Sequence, residues 1–223
     1  MTATYDDLTD LMTRMTGDEK HGASATSTLD VIWVLYHHVL RIDMEDPDRD
    51  RFLVSKGHGP MAYYAVLAAH GFIPEDLLDT FGEFDSPLGY HPDRMLVPGV
   101  EISAGSLGHG LPIAVGTATA LSLRPGHARV VVLLGDAELD EGSNGEAIAF
   151  AGRRGLGNLT AVVIDNESAG LGWPGGISAR FEVEGWTSSD VDGRDHEALR
   201  RAFAAGLPNT PHVVVAHVER KDG

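Results

Sequence analysis

The stretch RVVVLLGDAELDEGSNGEAIAFAGRRGLGNLTAVVIDNES, residues 129–168, decides the fold. Arg129–Leu134 is a run of valine and leucine, the composition of a strand buried on both faces. Gly135 interrupts it and leaves Asp136 at the carboxyl end of that strand. Glu146–Arg154 carries apolar residues at helical spacing, and Gly155 and Gly157 supply stop signals. Leu159–Ile164 is a second buried strand, ending in Asp165-Asn166. A strand–helix–strand unit of this length predicts a right-handed parallel crossover, so both strands end on one edge of the sheet. Open α/β sheets bind their ligands at that edge.

Asp136 and Asn166 are thereby expected side by side, a carboxylate and an amide oxygen with no Cys or His between them. That is a hard oxygen site. Magnesium suits it, because it accepts one or two protein oxygens and completes its octahedron with phosphate oxygens and water. The same spacing also fits an ordinary crossover with acidic loop ends.

The composition narrows the classes of function. At 223 residues, with 43% hydrophobic and 22% charged residues, the chain has an ordinary globular make-up and is expected to be a single domain, residues 1–223. Without cysteine it can have no disulfide, no thiolate nucleophile and no Cys-type zinc site. A formal net charge of −16 argues against nucleic acid or an anionic membrane as partner. No apolar run reaches membrane-spanning length and the first residues, MTATYDDLTD, lack a basic region with an apolar core, so a cytoplasmic location is the expectation.

Working outward, residues 5–16 and Asp30–Leu40 read as amphipathic helices, and His37 and His38 on the second read as packing or surface residues. Phe52–Val54 is a short strand leading into SKGHGP, where His58 stands between two glycines just ahead of a helix. An imidazole beside the free N–H groups of a helix N-terminus is well placed to meet an anion, or simply to cap the helix. His91 lies in a Pro- and Gly-bracketed loop, YHP. The segment GVEISAGSLGHGLPIAVG has the spacing GxxGxG at Gly105, Gly108 and Gly110, not GxGxxG, and no GxxxxGK[ST] occurs. Both absences count against nicotinamide or ATP binding. A weak helical piece, a strand near Trp186–Val191, a helix at Asp195–Ala205 and a buried strand at His212–His217 complete the chain.

Gly-Asp-x followed after about thirty residues by Asn resembles the thiamine-diphosphate signature. Four blocks, the His21–Tyr36 segment, DRFLVSKGHG, GVEISAGSLGHGLPIAVG and GDAELDEG…NLTAVVIDN, together resemble the N-terminal half of transketolase, in order and over nearly the whole chain. The nearest likeness is to the split form, whose halves are separate polypeptides. The resemblance implies a parallel sheet with helices on both faces, and thiamine diphosphate and Mg2+ as cofactors. Asp136, Asn166 and the main-chain carbonyl of Ser168 would hold the metal. Gly135, Leu107 and Gly108 would line the cofactor, and Glu141 would match the family acid that links the two thiamine sites across a subunit interface. His58 would contact the diphosphate and face the reacting carbon, while His91 and His21 would bind substrate hydroxyls.

The implied activity is transfer of a two-carbon ketol unit from a ketose donor to an aldehyde acceptor. The Glu that activates the thiamine belongs to the family's second, pyrimidine-binding half, so activity is expected only with a partner subunit, as an α2β2 heterotetramer. Four departures from the family pattern stand out: Ala137 for Gly, Asp165 for Asn, His109 for Gln, and ASATS for a Gly-rich run after His21. Ala137 and ASATS among them suggest a specialised biosynthetic role. The alternatives are the α subunit of a 2-oxo-acid dehydrogenase, which SKGH and SLGHG disfavour, and a non-catalytic scaffold subunit, which retention of Asp136, Asn166 and His58 disfavours.

Overall fold

The computed structural model describes residues 4–16 and 22–220. Among these, five strands make one parallel sheet: β1 (Arg51–Val54), β2 (Val130–Gly135), β3 (Leu159–Asp165), β4 (Thr187–Asp192) and β5 (His212–His217). Their spatial order is β1-β2-β3-β5-β4, with β1 and β4 at the edges. The central strands are valine-rich because both of their faces are covered; every residue of β2 is buried.

Side chains alternate between two apolar cores. On one face Phe52, Val54, Val131, Leu133, Val162, Ile164 and Val214 meet α1 (Tyr5–Thr13), α2 (Gly22–Val34), α3 (Met61–Ala69) and α7 (His196–Ala204). On the other, Leu53, Val130, Val132, Leu134, Ala161, Val163 and Val215 meet α4 (Gly110–Ser122), α5 (Gly142–Arg154) and α6 (Gly176–Glu182). The path β2–α5–β3 crosses on the second face. The path β4–α7–β5 runs in the reverse direction along the sheet and crosses on the first, as one common crossover hand requires. The fold is the parallel sheet with helices on both faces that the sequence predicts.

Two helix starts differ from the sequence expectation, and α1, expected over residues 5–16, ends at Thr13. The helix expected from Asp30 already runs from Gly22, and its last turn, Leu35–Val39, is π-helical. Asp30 resembles a start signal but caps nothing; its buried carboxylate accepts hydrogen bonds from Arg194 (2.6 Å) and His196 (2.8 Å). Likewise α5 begins at Gly142, not Glu146. Its first turn is tied down by side chains: Asn144 donates to the Glu138 carbonyl (2.6 Å) and Ser143 to that of Gly108 (2.7 Å).

Candidate functional site

Register brings the two predicted oxygen donors to one place. Gly135 pairs with Ile164, and the Asp136 N–H donates to the Ile164 carbonyl at 3.0 Å. Both side chains are buried at the sheet edge, Asp136 at 2% exposure and Asn166 at 4%. The loop after β3 then turns back through Glu167, a non-glycine residue in the left-handed region at φ 56°. That turn delivers Ser168, whose N–H and hydroxyl each donate to the Asp136 carboxylate at 2.5 Å, while the Ala169 N–H donates to it at 3.0 Å.

One atom here is unaccounted for. The Oδ1 of Asn166 is buried and, among the described residues, accepts no hydrogen bond. A buried acceptor left so costs roughly 1–3 kcal/mol unless a ligand supplies the missing partner. An orphaned amide oxygen next to a buried carboxylate, with no sulfur or imidazole in the set, fits a hard divalent cation.

Three further loops reach this edge. Ser55 and Lys56 follow β1; the Gly105–His109 loop precedes α4; a short 3-10 helix, Ala137–Asp140, follows β2. They meet on Glu138, which the sequence reading did not single out. Its carboxyl, 1% exposed, accepts from the Ser55 hydroxyl, from the Gly108 N–H at 3.0 Å and from the Gly135 N–H at 3.4 Å. Burial pushes this carboxyl above the ordinary carboxylate range, opposed by those three donors and the Lys56 charge.

Gly108 has φ +78°, and a Cβ there would lie 2.6 Å from the Glu141 side chain and from the Ser143 hydroxyl. Only glycine lets the backbone run this close to the start of α5. Leu107, beside it, is exposed, as is Glu141.

The imidazoles of His58 and His91 lie together, with ring centroids 5.3 Å apart and planes inclined by 54°. Gly57 makes that possible, since a Cβ on it would come within 3.0 Å of the His91 ring and 2.9 Å of Ala104. His58 does not cap α3; the N-cap is Pro60, and no side chain caps that end. His21, the third predicted histidine, lies outside the described residues. His109 is exposed at the N-cap of α4. The structure thus gathers Gly135, Asp136, Asn166 and Ser168 at one point, with Gly108 and Glu141 joined to it through Glu138 and α5, and pairs His58 with His91.

Residues 14–215 match the family model described as transketolase, thiamine diphosphate binding domain. A protein named ferredoxin fas2 from Rhodococcoides fascians is 55% identical over 221 residues, covering 97% of this chain and 73% of that one. An apulose-4-phosphate transketolase subunit of Actinobacillus succinogenes is 37% identical over 213 residues, covering 91% of this chain and 77% of the relative. Among solved structures, transketolase from Leishmania mexicana superposes with a TM-score of 0.83 at 29% identity. That match takes in 97% of this chain but 37% of the Leishmania one. Among the described residues no helix is long and apolar enough to cross a membrane.

Proposed function

This chain belongs to the transketolase family as its thiamine-diphosphate-binding part, and from that membership we propose that it is the N-terminal subunit of a split, transketolase-like transferase. The observation that carries the reading is the buried, unpartnered Oδ1 of Asn166 beside the buried carboxylate of Asp136. Asp136, Asn166 and the Ser168 carbonyl would hold Mg2+, which would serve to anchor the cofactor's diphosphate. When bound, thiamine diphosphate supplies the carbanion chemistry by which a two-carbon ketol unit passes from a ketose to an aldehyde.

The chain's own residues position and hydrogen-bond. The Gly108 backbone, with Leu107 and Gly135, gives a flat approach to the cofactor, and Glu141 would link the two thiamine sites across the subunit interface. His58, His91 and His21 bind hydroxyl and carbonyl oxygens and move protons on and off them near neutral pH. The thiamine-activating acid comes from a second polypeptide. One finding supports this: the Actinobacillus relative is itself named as one subunit of a transketolase. We take the complex to be α2β2 and cytoplasmic, with residues 1–223 forming one domain. The apulose-4-phosphate relative and the departures at Ala137, His109 and ASATS support a specialised acceptor. The ferredoxin name of another relative finds no counterpart here, because iron–sulfur clusters are held by cysteine thiolates and the chain has no cysteine.

Calorimetric titration of thiamine diphosphate with Mg2+ tests this, on the chain mixed with its second subunit. Binding is expected in the mixture and at least about 100-fold weaker in Asp136→Ala. No binding in the mixture overturns the catalytic reading. Binding without turnover on any ketose donor leaves the scaffold reading.

A further inference from the structure

Four successive backbone N–H groups after β3 end on two aspartates of the turn after β2. Ser168 and Ala169 donate to Asp136; Gly170 and Leu171 donate to Oδ2 of Asp140, at 3.0 and 3.1 Å. The Ser168 hydroxyl adds a third bond to Asp136. A carboxylate offers about four lone-pair sites, so a cation on Asp136 draws on the same oxygens that hold Ser168 and Ala169. Asp140 carries no such double duty. It is also firmly seated, because its 3-10 turn has Glu138 pinned between three loops and Leu139 in the core. Beyond the clamp the loop runs to Trp173, whose ring lies under the Arg180 guanidinium of α6 at 5.3 Å.

We propose that Asp140 is a positioning residue: by holding the Gly170 and Leu171 amides it keeps the loop after β3 in place independently of Asp136, so that Ser168 stays beside Asp136 when a cation engages the carboxylate. This rests on the reading of Asp136, Asn166 and Ser168 as cation ligands. Asn at position 140 retains one carbonyl oxygen with two lone pairs, enough for both amides; Ala retains none.

The test takes the full chain in complex with its second subunit, and it has two readouts. Amide hydrogen exchange at Gly170 and Leu171, without added Mg2+, reads the clamp alone. Mg2+ titration in the presence of thiamine diphosphate, followed by tryptophan fluorescence, reads its consequence, since Trp173 is 46% exposed on this loop while Trp33 and Trp186 are both buried. Asp140→Ala is expected to exchange these amides about tenfold faster and to bind Mg2+ about tenfold more weakly, with Asp140→Asn within about threefold of wild type in both. Wild-type behaviour of Asp140→Ala overturns the proposal. So does an Asp140→Asn variant as weak as Asp140→Ala, which assigns the effect to charge. Unchanged Mg2+ affinity in Asp136→Ala removes the cation reading and with it the second half of the proposal, while the exchange rates still decide the clamp.

Discussion

Asp136 and Glu138 stand two residues apart, yet only the first was legible in the sequence. Asp136 ends a run of buried strand, so its position relative to the sheet follows from the pattern before it. Glu138 sits in ELDE, an acidic run that reads as solvated. The available signal was its place where a short turn folds back over the sheet edge; nothing in the residue types said that Ser55 and Gly108, distant in the chain, would donate to it. Truncating it strands three donors. Glu138→Ala should therefore destabilise the chain by about 3 kcal/mol, and Glu138→Gln, which keeps the oxygen that serves Ser55 and Gly108, by about 1 kcal/mol. Urea unfolding midpoints measure both. The pairing of His58 with His91 was likewise out of reach of local pattern, because it depends on Gly57 admitting a ring from another loop.

Elements were read more reliably than their ends. All five strands of the described residues were expected, the three central ones because valine runs bounded by glycine and polar residues admit little else. The helix starts were missed where small residues precede the periodic part. GSNG, the first four residues of α5, looks like loop until Ser143 and Asn144 find their acceptors in neighbouring turns. The interior of α5 carries a further constraint. A Cβ at Gly152 would fall 1.7 Å from the Glu184 carbonyl oxygen, so the helix lies directly against the segment before β4. Gly152→Ala gains helix propensity and still loses, since backbone must move; a net cost of about 2 kcal/mol is expected from a thermal or urea melt. A rise in stability would show that α5 can slide away from that segment.

At the scale of the whole molecule, acid sensitivity comes from histidines that the mechanism does not use. Burial holds the imidazole of His212, against Thr187 and Ser189 on the neighbouring edge strand, below its ordinary pKa, and burial does the same to His70. Above about pH 6.5 both folded and unfolded chains keep these rings neutral, and they contribute nothing to the pH dependence. As pH falls below that value the unfolded chain takes up protons that the folded chain resists, so stability declines. The urea midpoint should drop as pH falls below about 6.5, and His212→Gln should flatten that slope. The division of the interior into two cores has a consequence for redesign. Asp136 and Asn166 directly follow β2 and β3, which bury side chains in both cores, whereas His91 lies in a loop between Leu88 and Val97, both buried in the single core beside α1, α2 and α3. A combinatorial library aimed at new acceptors can therefore be confined to the loop around His91, recruiting new hydroxyl-binding side chains while Asp136, Asn166 and His58 are left as they stand.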